Sequence, residues 1–380
     1  MVAQDQVTVA HTVDDISESI DRISNDSFFT YGWFKTLESF GRLPDPLYLI
    51  LSHEQEIVAI APCFIDKTDD FFSWGPNIFP FLHRALRVGE KLGLFKRDVL
   101  LCYSPACCRT KILLKNGYSE RKIVELILAK IDNICKERKV LFSSFLFVSE
   151  FDEPLLNKLK DLNYSMFPNV LTFYLNLEWS QFDDYLKSLK SGMRKKIRRE
   201  IKKCAENGVI INEEKITPNI ADELSQLDAN VFSKHNLTSN YKLGASFFLT
   251  LQKYAKENVK LFIARKNNKV IGFSLSLQHK DVLDVYMYGS DYESQNNTFF
   301  TYFNLVYYKP IQLAIDEKIS KIYFRYFLAK SRIDRGCRPE QTYSFMKCHD
   351  AFLGPAINSL LRSKIYHSLK SRFLRDPFPN

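Results

Sequence analysis

Residues 269–293, KVIGFSLSLQHKDVLDVYMYGSDYE, contain the pattern that decides the fold of this 380-residue chain. Lys269–Gln278 and Val282–Tyr288 are rich in apolar, β-branched and aromatic residues, and the polar tripeptide His279-Lys280-Asp281 between them is typical of a turn. The preceding segment, Val259–Arg265, has the same character and is separated from them by a second polar turn. These residues predict three antiparallel strands in succession.

The segments on either side of this meander predict a mixture of helices and strands. Apolar residues at helical spacing predict helices before and after it, over 191–207, 220–232, 244–257 and 299–316. A last strand is predicted over 321–326. Helices around paired strands recur weakly in the first half, so we predict an α+β protein of two related units, 1–177 and 178–350, followed by a basic helical extension, 351–380.

The composition excludes several classes of protein. With 46% hydrophobic and 14% aromatic residues, the chain can bury a sizeable core, and no apolar run reaches the roughly 18 residues that a membrane-spanning helix needs. The eight cysteines show no C-x-x-C spacing, so neither a zinc ribbon nor a thioredoxin-like site is predicted. The first residues lack the features of a secretory signal, and we expect a cytoplasmic protein with free thiols.

Positive charge is concentrated in one segment. The chain has 53 basic and 44 acidic residues, a net charge of +9, yet residues 187–203 alone hold nine basic residues and a single acid, Glu200. At helical spacing, four of the basic residues form two neighbouring pairs, Arg194 with Arg198 and Lys195 with Arg199. Because the arginine fork suits phosphate, we predict that these four side chains bind the phosphates of a carrier molecule. The alternative is a solvated basic face.

Two further segments contain candidate ligand-binding residues. The aromatic end of the third strand, from Tyr286 to Gly289, is typical of a place where backbone approaches a ligand, although tyrosines packed across an ordinary strand would give the same pattern. In the long helix, Asn304 and Tyr308 share a face, and Tyr307 lies beside them. Buried tyrosine hydroxyls more often satisfy a structural hydrogen bond than take part in chemistry.

Sites with a conventional nucleophile or a metal are not indicated. The sequence has no G-x-S-x-G elbow, no P-loop and no G-x-G-x-x-G segment, and no two of its seven histidines stand four residues apart. We therefore predict no metal site. His235, directly after the predicted helix 220–232, is kept as a possible general base, with a purely structural role as the alternative.

Seven segments, taken in order, form a recognisable set. They are the meander quoted above, FFTYGWFKTLE (28–38), VAIAPCFIDK (58–67), MRKKIRREIKKCAENGV (193–209), FSKHNLTSNYKLGASFF (232–248), FNLVYYKPIQLAI (303–315) and RIDRGCRPEQTYS (332–344). Together they resemble the FemAB-like predicted N-acyltransferases, of the peptidoglycan biosynthesis/recognition type, in the GNAT superfamily. The resemblance implies two tandem GNAT-like domains, each a mixed, largely antiparallel sheet flanked by helices.

The resemblance also implies roles for particular residues. A splayed strand near Tyr286–Gly289 would present backbone amides to the acyl donor, with Tyr286 and Gly289 as donor contacts. The matching segments place substrate contacts at Trp33, Asn304, Tyr307, Tyr308 and Arg335. A proton would be moved by one of three residues, Asp291, Tyr288 or His235. Residues 324–332 depart from the family pattern, being basic and aromatic instead of acidic and small.

The implied activity is the transfer of an acyl or aminoacyl group from a phosphate-bearing carrier to a small-molecule or peptide amine, in specialised metabolite or cell-envelope biosynthesis. No tightly bound cofactor is expected. The donor could be acyl-CoA, an acyl-carrier protein or aminoacyl-tRNA. One alternative is a Fem-type transferase dependent on aminoacyl-tRNA, which the basic helix and the basic residues 362–375 favour. Another is a catalytically inactive basic module that binds an anionic membrane surface through residues 321–375.

Overall fold

The computed structural model describes residues 6–66, 90–91, 98–105, 107–235, 243–293, 299–326, 328–352 and 354–362. The strands are β1 (Gln6–Ala10), β2 (Pro46–His53), β3 (Glu56–Asp66), β4 (Val99–Cys102), β5 (Leu113–Leu114), β6 (Phe142–Ser149), β7 (Ser165–Asn176), β8 (Ile210–Glu213), β9 (Val259–Lys266), β10 (Lys269–His279), β11 (Val282–Ser290), β12 (Lys321–Phe324) and β13 (Arg338–Cys348).

The α-helices are α1 (Ser17–Ile23), α2 (Tyr31–Ser39), α3 (Glu120–Glu137), α4 (Glu153–Asp161), α5 (Phe182–Ser188), α6 (Ser191–Glu206), α7 (Pro218–Lys234), α8 (Ala245–Tyr254), α9 (Thr301–Phe303), α10 (Lys309–Asp316), α11 (Ala329–Asp334) and α12 (Gly354–Arg362). A π-helical segment, Asn304–Tyr308, joins α9 to α10, and short 3₁₀ turns occur at Val13–Ile16 and Lys256–Asn258. Among the described residues, no helix combines the length and the apolar character needed to cross a membrane.

The described residues form two compact units with exchanged segments. Unit 1 comprises those within Met1–Ile23, Gly41–Leu171 and Glu340–Asn380, and unit 2 those within Ser24–Phe40 and Thr172–Pro339. These units differ from the predicted division at 177/178 in three segments: Ser24–Phe40 and residues 172–177 belong to unit 2, and Glu340–Asn380 belongs to unit 1. The predicted C-terminal extension is described only as far as Arg362, where α12 ends. The rest of it lies beyond the described residues, and so do residues 363–375 of the predicted membrane-binding region 321–375.

Unit 1 is built on a mixed sheet with helices packed against it. β1, β2, β3 and β4 pair antiparallel in that order, β4 pairs with β6 in parallel, and β6 pairs antiparallel with β13. Helix α3 contributes buried Ile127, Leu128 and Ile131 to the core because its apolar residues recur at helical spacing.

Unit 2 contains the predicted meander. β8, β9, β10 and β11 pair antiparallel in sequence, β11 pairs with β12 in parallel, and β12 pairs antiparallel with the end of β7. The core below this sheet includes Phe173, Tyr185, Ile311 and Ile322, all buried. The three meander strands, the long basic helix and the α+β class are thus confirmed.

Strand β13 was not anticipated. The sequence predicts 321–326 as the last strand, but β13 follows it and pairs with β6, with Thr342 opposite Ser149 and Cys348 opposite Phe142. Its sequence, RPEQTYSFMKC, has polar residues at most of its first positions. Strand formation depends on the neighbours that a segment meets in the sheet, and β13 meets a partner almost 200 residues earlier, which local pattern cannot reveal.

His349, at the end of β13, belongs to a buried polar group in unit 1. Its Nε2 lies 2.7 Å from the Ser143 hydroxyl, which also contacts the Tyr164 hydroxyl at 2.7 Å. Asp132 Oδ1 lies 3.9 Å from His349 Nδ1, and Lys347 Nζ lies 2.8 Å from Asp132 Oδ2. Burial lowers the pKa of His349 from 6.5 to about 4, although Asp132 acts in the opposite direction.

This shift predicts that acid destabilises the protein. The folded state keeps His349 neutral, whereas the unfolded chain takes up a proton below about pH 6.5, so stability is lost as the pH falls from 6.5 towards 4. We expect the free energy of unfolding, from urea denaturation, to fall by about 2 kcal/mol between pH 7 and pH 5. His349→Gln should remove most of this difference; an unchanged pH dependence in that variant would contradict the assignment.

Candidate functional site

Two neighbouring strands of unit 2 separate part-way along their length. β11 and β12 pair from Val282 opposite Lys321 to Val285 opposite Phe324. β12 ends there, but β11 continues to Ser290 and stays paired only with β10. Beyond Val285, the backbone on the β12 side of β11 therefore has no strand partner among the described residues. This is the splay that the sequence led us to expect near Tyr286–Gly289.

Tyr286 lies at the start of this splay, in a β-bulge. Leu275 pairs with Met287 and Ser276 with Val285, so Tyr286 has no opposite residue on β10. Its ring meets the rings of Phe28 and Trp33 edge-on, with centroids 5.3 and 5.4 Å apart.

The Tyr286 carbonyl already has a hydrogen-bond donor. It accepts a hydrogen bond of 3.2 Å from Arg325 Nη1, and the Arg325 guanidinium lies 5.4 Å from the Tyr286 ring centroid. Bulges re-aim side chains at sites of this kind. The structure thus brings Tyr286 and the predicted substrate contact Trp33 together.

Gly289 has no room for a side chain. A Cβ there would lie 2.1 Å from a ring atom of Phe273 and 2.9 Å from Leu227 Cβ. The close approach that the sequence suggested at this glycine is therefore made by the protein's own core, at the pairing of Gly289 with Phe273. Donor binding by Gly289 stays a prediction.

The basic helix α6 has two kinds of cation. Arg198 contacts Asp183 at 3.1 Å, and Lys202 and Lys203 contact Glu206 at 3.6 and 2.9 Å. Three other cations, Arg194, Lys195 and Arg199, have no acidic partner among the described residues. Lys195 and Arg199 are exposed and one turn apart, and Arg194 is half-buried. Of the four residues predicted to bind phosphate, Arg198 is thus the one already held in an ion pair.

Glu200, the single acid of the basic segment, is the centre of a buried polar cluster. It accepts hydrogen bonds at Oε2 from the Tyr308 hydroxyl and from Arg335 Nη2, the latter at 3.0 Å. Arg335 Nη2 also donates to the Tyr308 oxygen at 3.0 Å, and Asn304 Nδ2 donates to the Glu200 carbonyl at 3.3 Å. Burial raises the pKa of Tyr308, and Arg335 opposes the rise, so the phenol remains a donor to the carboxylate.

The π-helical segment contributes Tyr308 to this cluster. All five of its residues are buried, including the adjacent Tyr307 and Tyr308. Tyr307 stacks on Phe324 at 5.2 Å, while Tyr308 reaches Glu200. The structure therefore joins three predicted residues, Asn304, Tyr308 and Arg335, around an acid that was not among the predicted site residues.

A signal for Glu200 was present in the sequence. Ile197, Glu200 and Cys204 recur at three- and four-residue spacing and are the buried residues of α6. An acid on the apolar stripe of a basic helix implies a buried partner, because an isolated buried charge is costly. That partner, Arg335, is 135 residues away.

The three predicted proton-transfer residues lie in different surroundings. Asp291 contacts Lys269 Nζ at 2.7 Å and accepts the Glu293 backbone amide at 3.1 Å. Tyr288 packs edge-on against Tyr302 at 4.9 Å, and burial raises its pKa. His235 is exposed at the end of α7. Their catalytic roles stay predictions.

Metal ligands are not grouped in the part of the chain that the structure describes: no three His, Cys, Asp or Glu side chains could hold an ion together. All eight cysteines are buried and free. Burial raises the pKa of Cys337 to about 12 and that of Cys204 to about 11, so these thiols stay protonated.

The fold and site together define a class. Unit 2, with an antiparallel meander, a splayed parallel strand and a crossover helix, has a GNAT-like fold, within a tandem α+β architecture. The chain belongs to the FemAB-like family, described as peptidoglycan biosynthesis/recognition, whose model matches residues 10–372. None of the curated proteins compared with the chain matches it at a significant level.

Solved structures share this fold at low sequence identity. The crystal structure of FemX superposes with a TM-score of 0.62 at 11% identity, covering 94% of this chain and 100% of FemX. The C-terminal domain of a putative lysylphosphatidylglycerol synthetase from Agrobacterium fabrum gives 0.57 at 11%, covering 95% and 96%. A conserved protein of unknown function from Bacteroides thetaiotaomicron gives 0.57 at 11%, covering 90% and 100%.

Proposed function

We propose that this protein transfers an acyl or aminoacyl group from a phosphate-bearing donor to an amine. The observation that carries the proposal is the divergence of β11 and β12 after Val285 and Phe324, in the same unit as the basic helix α6. The divergence leaves backbone groups of β11 available to an extended donor arm. Membership of the FemAB-like family supports the same class of reaction.

The proposed transfer reaction requires few catalytic side chains. A neutral amine attacks the donor carbonyl carbon, the thioester or ester bond breaks, and the amine loses one proton while the leaving group gains one. Holding the two reactants together supplies up to about 7–11 kcal/mol in favourable cases. Because its pKa is raised, Tyr288 is better suited to donating a proton to the leaving group than to removing one. Asp291 and His235 remain the candidates for the base.

The donor is held, in this proposal, through its phosphates. Lys195 and Arg199 are exposed, lie one turn apart and have no acidic partner among the described residues, so they are the strongest candidates on α6. Crowded cations on one helix repel each other, and a bound polyanion removes that repulsion. An aminoacyl-tRNA donor fits the number of cations on this helix better than a single small thioester, and FemAB-like membership agrees with it.

Salt dependence distinguishes the donors. If three tRNA phosphates are contacted, the dissociation constant for total aminoacylated tRNA should rise about 20-fold between 50 and 200 mM KCl, measured by filter binding. Acyl-CoA is a small ion without the condensed counterions of a polynucleotide, so it should give a shallower slope in the same buffers. Transfer of label to an amine, with acyl-CoA and aminoacylated tRNA supplied separately, then identifies the productive donor. If neither donor binds with a salt-dependent affinity and neither supports transfer, the proposal is wrong.

A further inference from the structure

Arg332 is a buried arginine that has no counter-charge within the part of the chain that the structure describes. It lies on α11 and is 5% exposed. Its Nη1 donates a hydrogen bond to the Arg325 carbonyl, and its Nε is buried without an acceptor. No carboxylate pairs with it among the described residues. Arg335, three residues later and equally buried, has Glu200 at 3.0 Å.

This contrast is physically informative because a guanidinium remains charged at any ordinary pH. Burying a charge without a partner is far more costly than burying a paired one. The Phe173 ring, whose centroid lies 5.4 Å from the Arg332 guanidinium carbon, compensates only part of that cost. A buried cation that is maintained without a protein anion indicates that an anion is supplied from outside.

The position of Arg332 connects it to the splayed strands. Arg332 donates to the Arg325 carbonyl, and Arg325 donates in turn to the Tyr286 carbonyl at 3.2 Å. Tyr286 is the residue at which β11 leaves β12. Two successive hydrogen bonds therefore connect Arg332 to the place where the acyl donor is proposed to bind. The sequence already marked residues 324–332 as unusually basic for this family.

We propose that Arg332 is the centre of an oxyanion-binding site, which receives a carboxylate or phosphate group of a substrate beside the splay. The planar fork of arginine suits both groups, since each can accept two parallel hydrogen bonds. Only the assignment of the bound group to the transferase substrate rests on the proposed function. The binding itself can be measured without any transfer reaction.

The test uses thermal unfolding of the full chain at constant ionic strength, with sodium acetate or inorganic phosphate replacing chloride. We expect the melting temperature of the unaltered protein to rise by about 2–4 °C at saturating anion. Arg332→Met should abolish this rise and, without added anion, should melt no lower than the unaltered protein, because the uncompensated charge has gone. Arg338→Met, which removes an exposed arginine of the same unit, should leave the anion response intact.

Comparing acetate with phosphate distinguishes a carboxylate from a phosphate group of the substrate. A rise with phosphate alone assigns a phosphate-bearing substrate, and a rise with acetate assigns a carboxylate. Arg332→Lys keeps the charge without the fork and should retain only part of the response, which preserves the test if the methionine variant does not fold. An unresponsive unaltered protein, or an Arg332→Met variant that responds like it, would overturn the site whatever the outcome of the transfer assays.

Discussion

Replacing Glu200 by methionine should lower the free energy of unfolding by about 3–5 kcal/mol, the usual cost of leaving one charge of a buried pair without its partner. The variant keeps a similar side-chain volume, but Arg335 would remain charged and 1% exposed, with hydrogen bonds to neutral groups of Tyr308 and Ser331 and no carboxylate. Urea denaturation followed by circular dichroism measures the change. A loss below about 1 kcal/mol would show that this pair does not organise unit 2.

Two controls make the result specific. Glu206→Met removes an exposed acid from the same helix, where it pairs with Lys202 and Lys203, and should change stability by less than about 1 kcal/mol. Glu200→Met combined with Arg335→Met removes both buried charges and should lose less than the sum of the two single variants. Strict additivity would mean that the two side chains act independently, against the 3.0 Å contact between them.

The second large effect is expected on donor binding. Lys195→Gln combined with Arg199→Gln should raise the dissociation constant for aminoacylated tRNA, and the KM of the productive donor, by about 10- to 100-fold, since each charged hydrogen bond to phosphate contributes about 1.5–3 kcal/mol and exposure reduces it. The value of kcat should change little, because these cations bind the carrier and do not touch the reacting carbonyl. The salt slope should also become shallower.

The matched control is on the same helix. Lys202→Gln combined with Lys203→Gln removes the same two charges, but these lysines already contact Glu206 at 3.6 and 2.9 Å. If binding depends on particular cations, only the first double variant should weaken it strongly. Equal losses in the two variants would mean that the helix acts as a diffuse positive surface, and no loss in either would remove α6 from the donor site.

Local sequence patterns predicted the elements that depend on residues close together in the chain. The meander strands were expected over 259–265, 269–278 and 282–288, and they are found as Val259–Lys266, Lys269–His279 and Val282–Ser290. Apolar segments separated by short polar turns predict antiparallel neighbours directly, because each strand meets the next one in the chain. The basic helix, predicted over 191–207, is found at Ser191–Glu206, because helical spacing is also a pattern within one segment.

Local sequence patterns predicted only part of the candidate site. Asn304, Tyr308 and Arg335 were named from their segments, but their joint role depended on Glu200, which the sequence shows as one acid among nine bases. Arg332 and Arg335 are both arginines of one short segment, and nothing local distinguishes the paired one from the unpaired one. Their difference arises because Glu200 reaches one of them and not the other.

The sequence by itself determined the α+β class, the meander and the concentration of positive charge on one helix, because each depends on residues that are neighbours in the chain. Only the tertiary structure decided that β13 pairs with β6, that Tyr307 and Tyr308 are both buried, and that Glu200 pairs with Arg335 while Arg332 has no carboxylate partner among the described residues. These features join residues more than 100 positions apart or depend on burial. Their energies come from packing and desolvation, which exist only once the chain has folded.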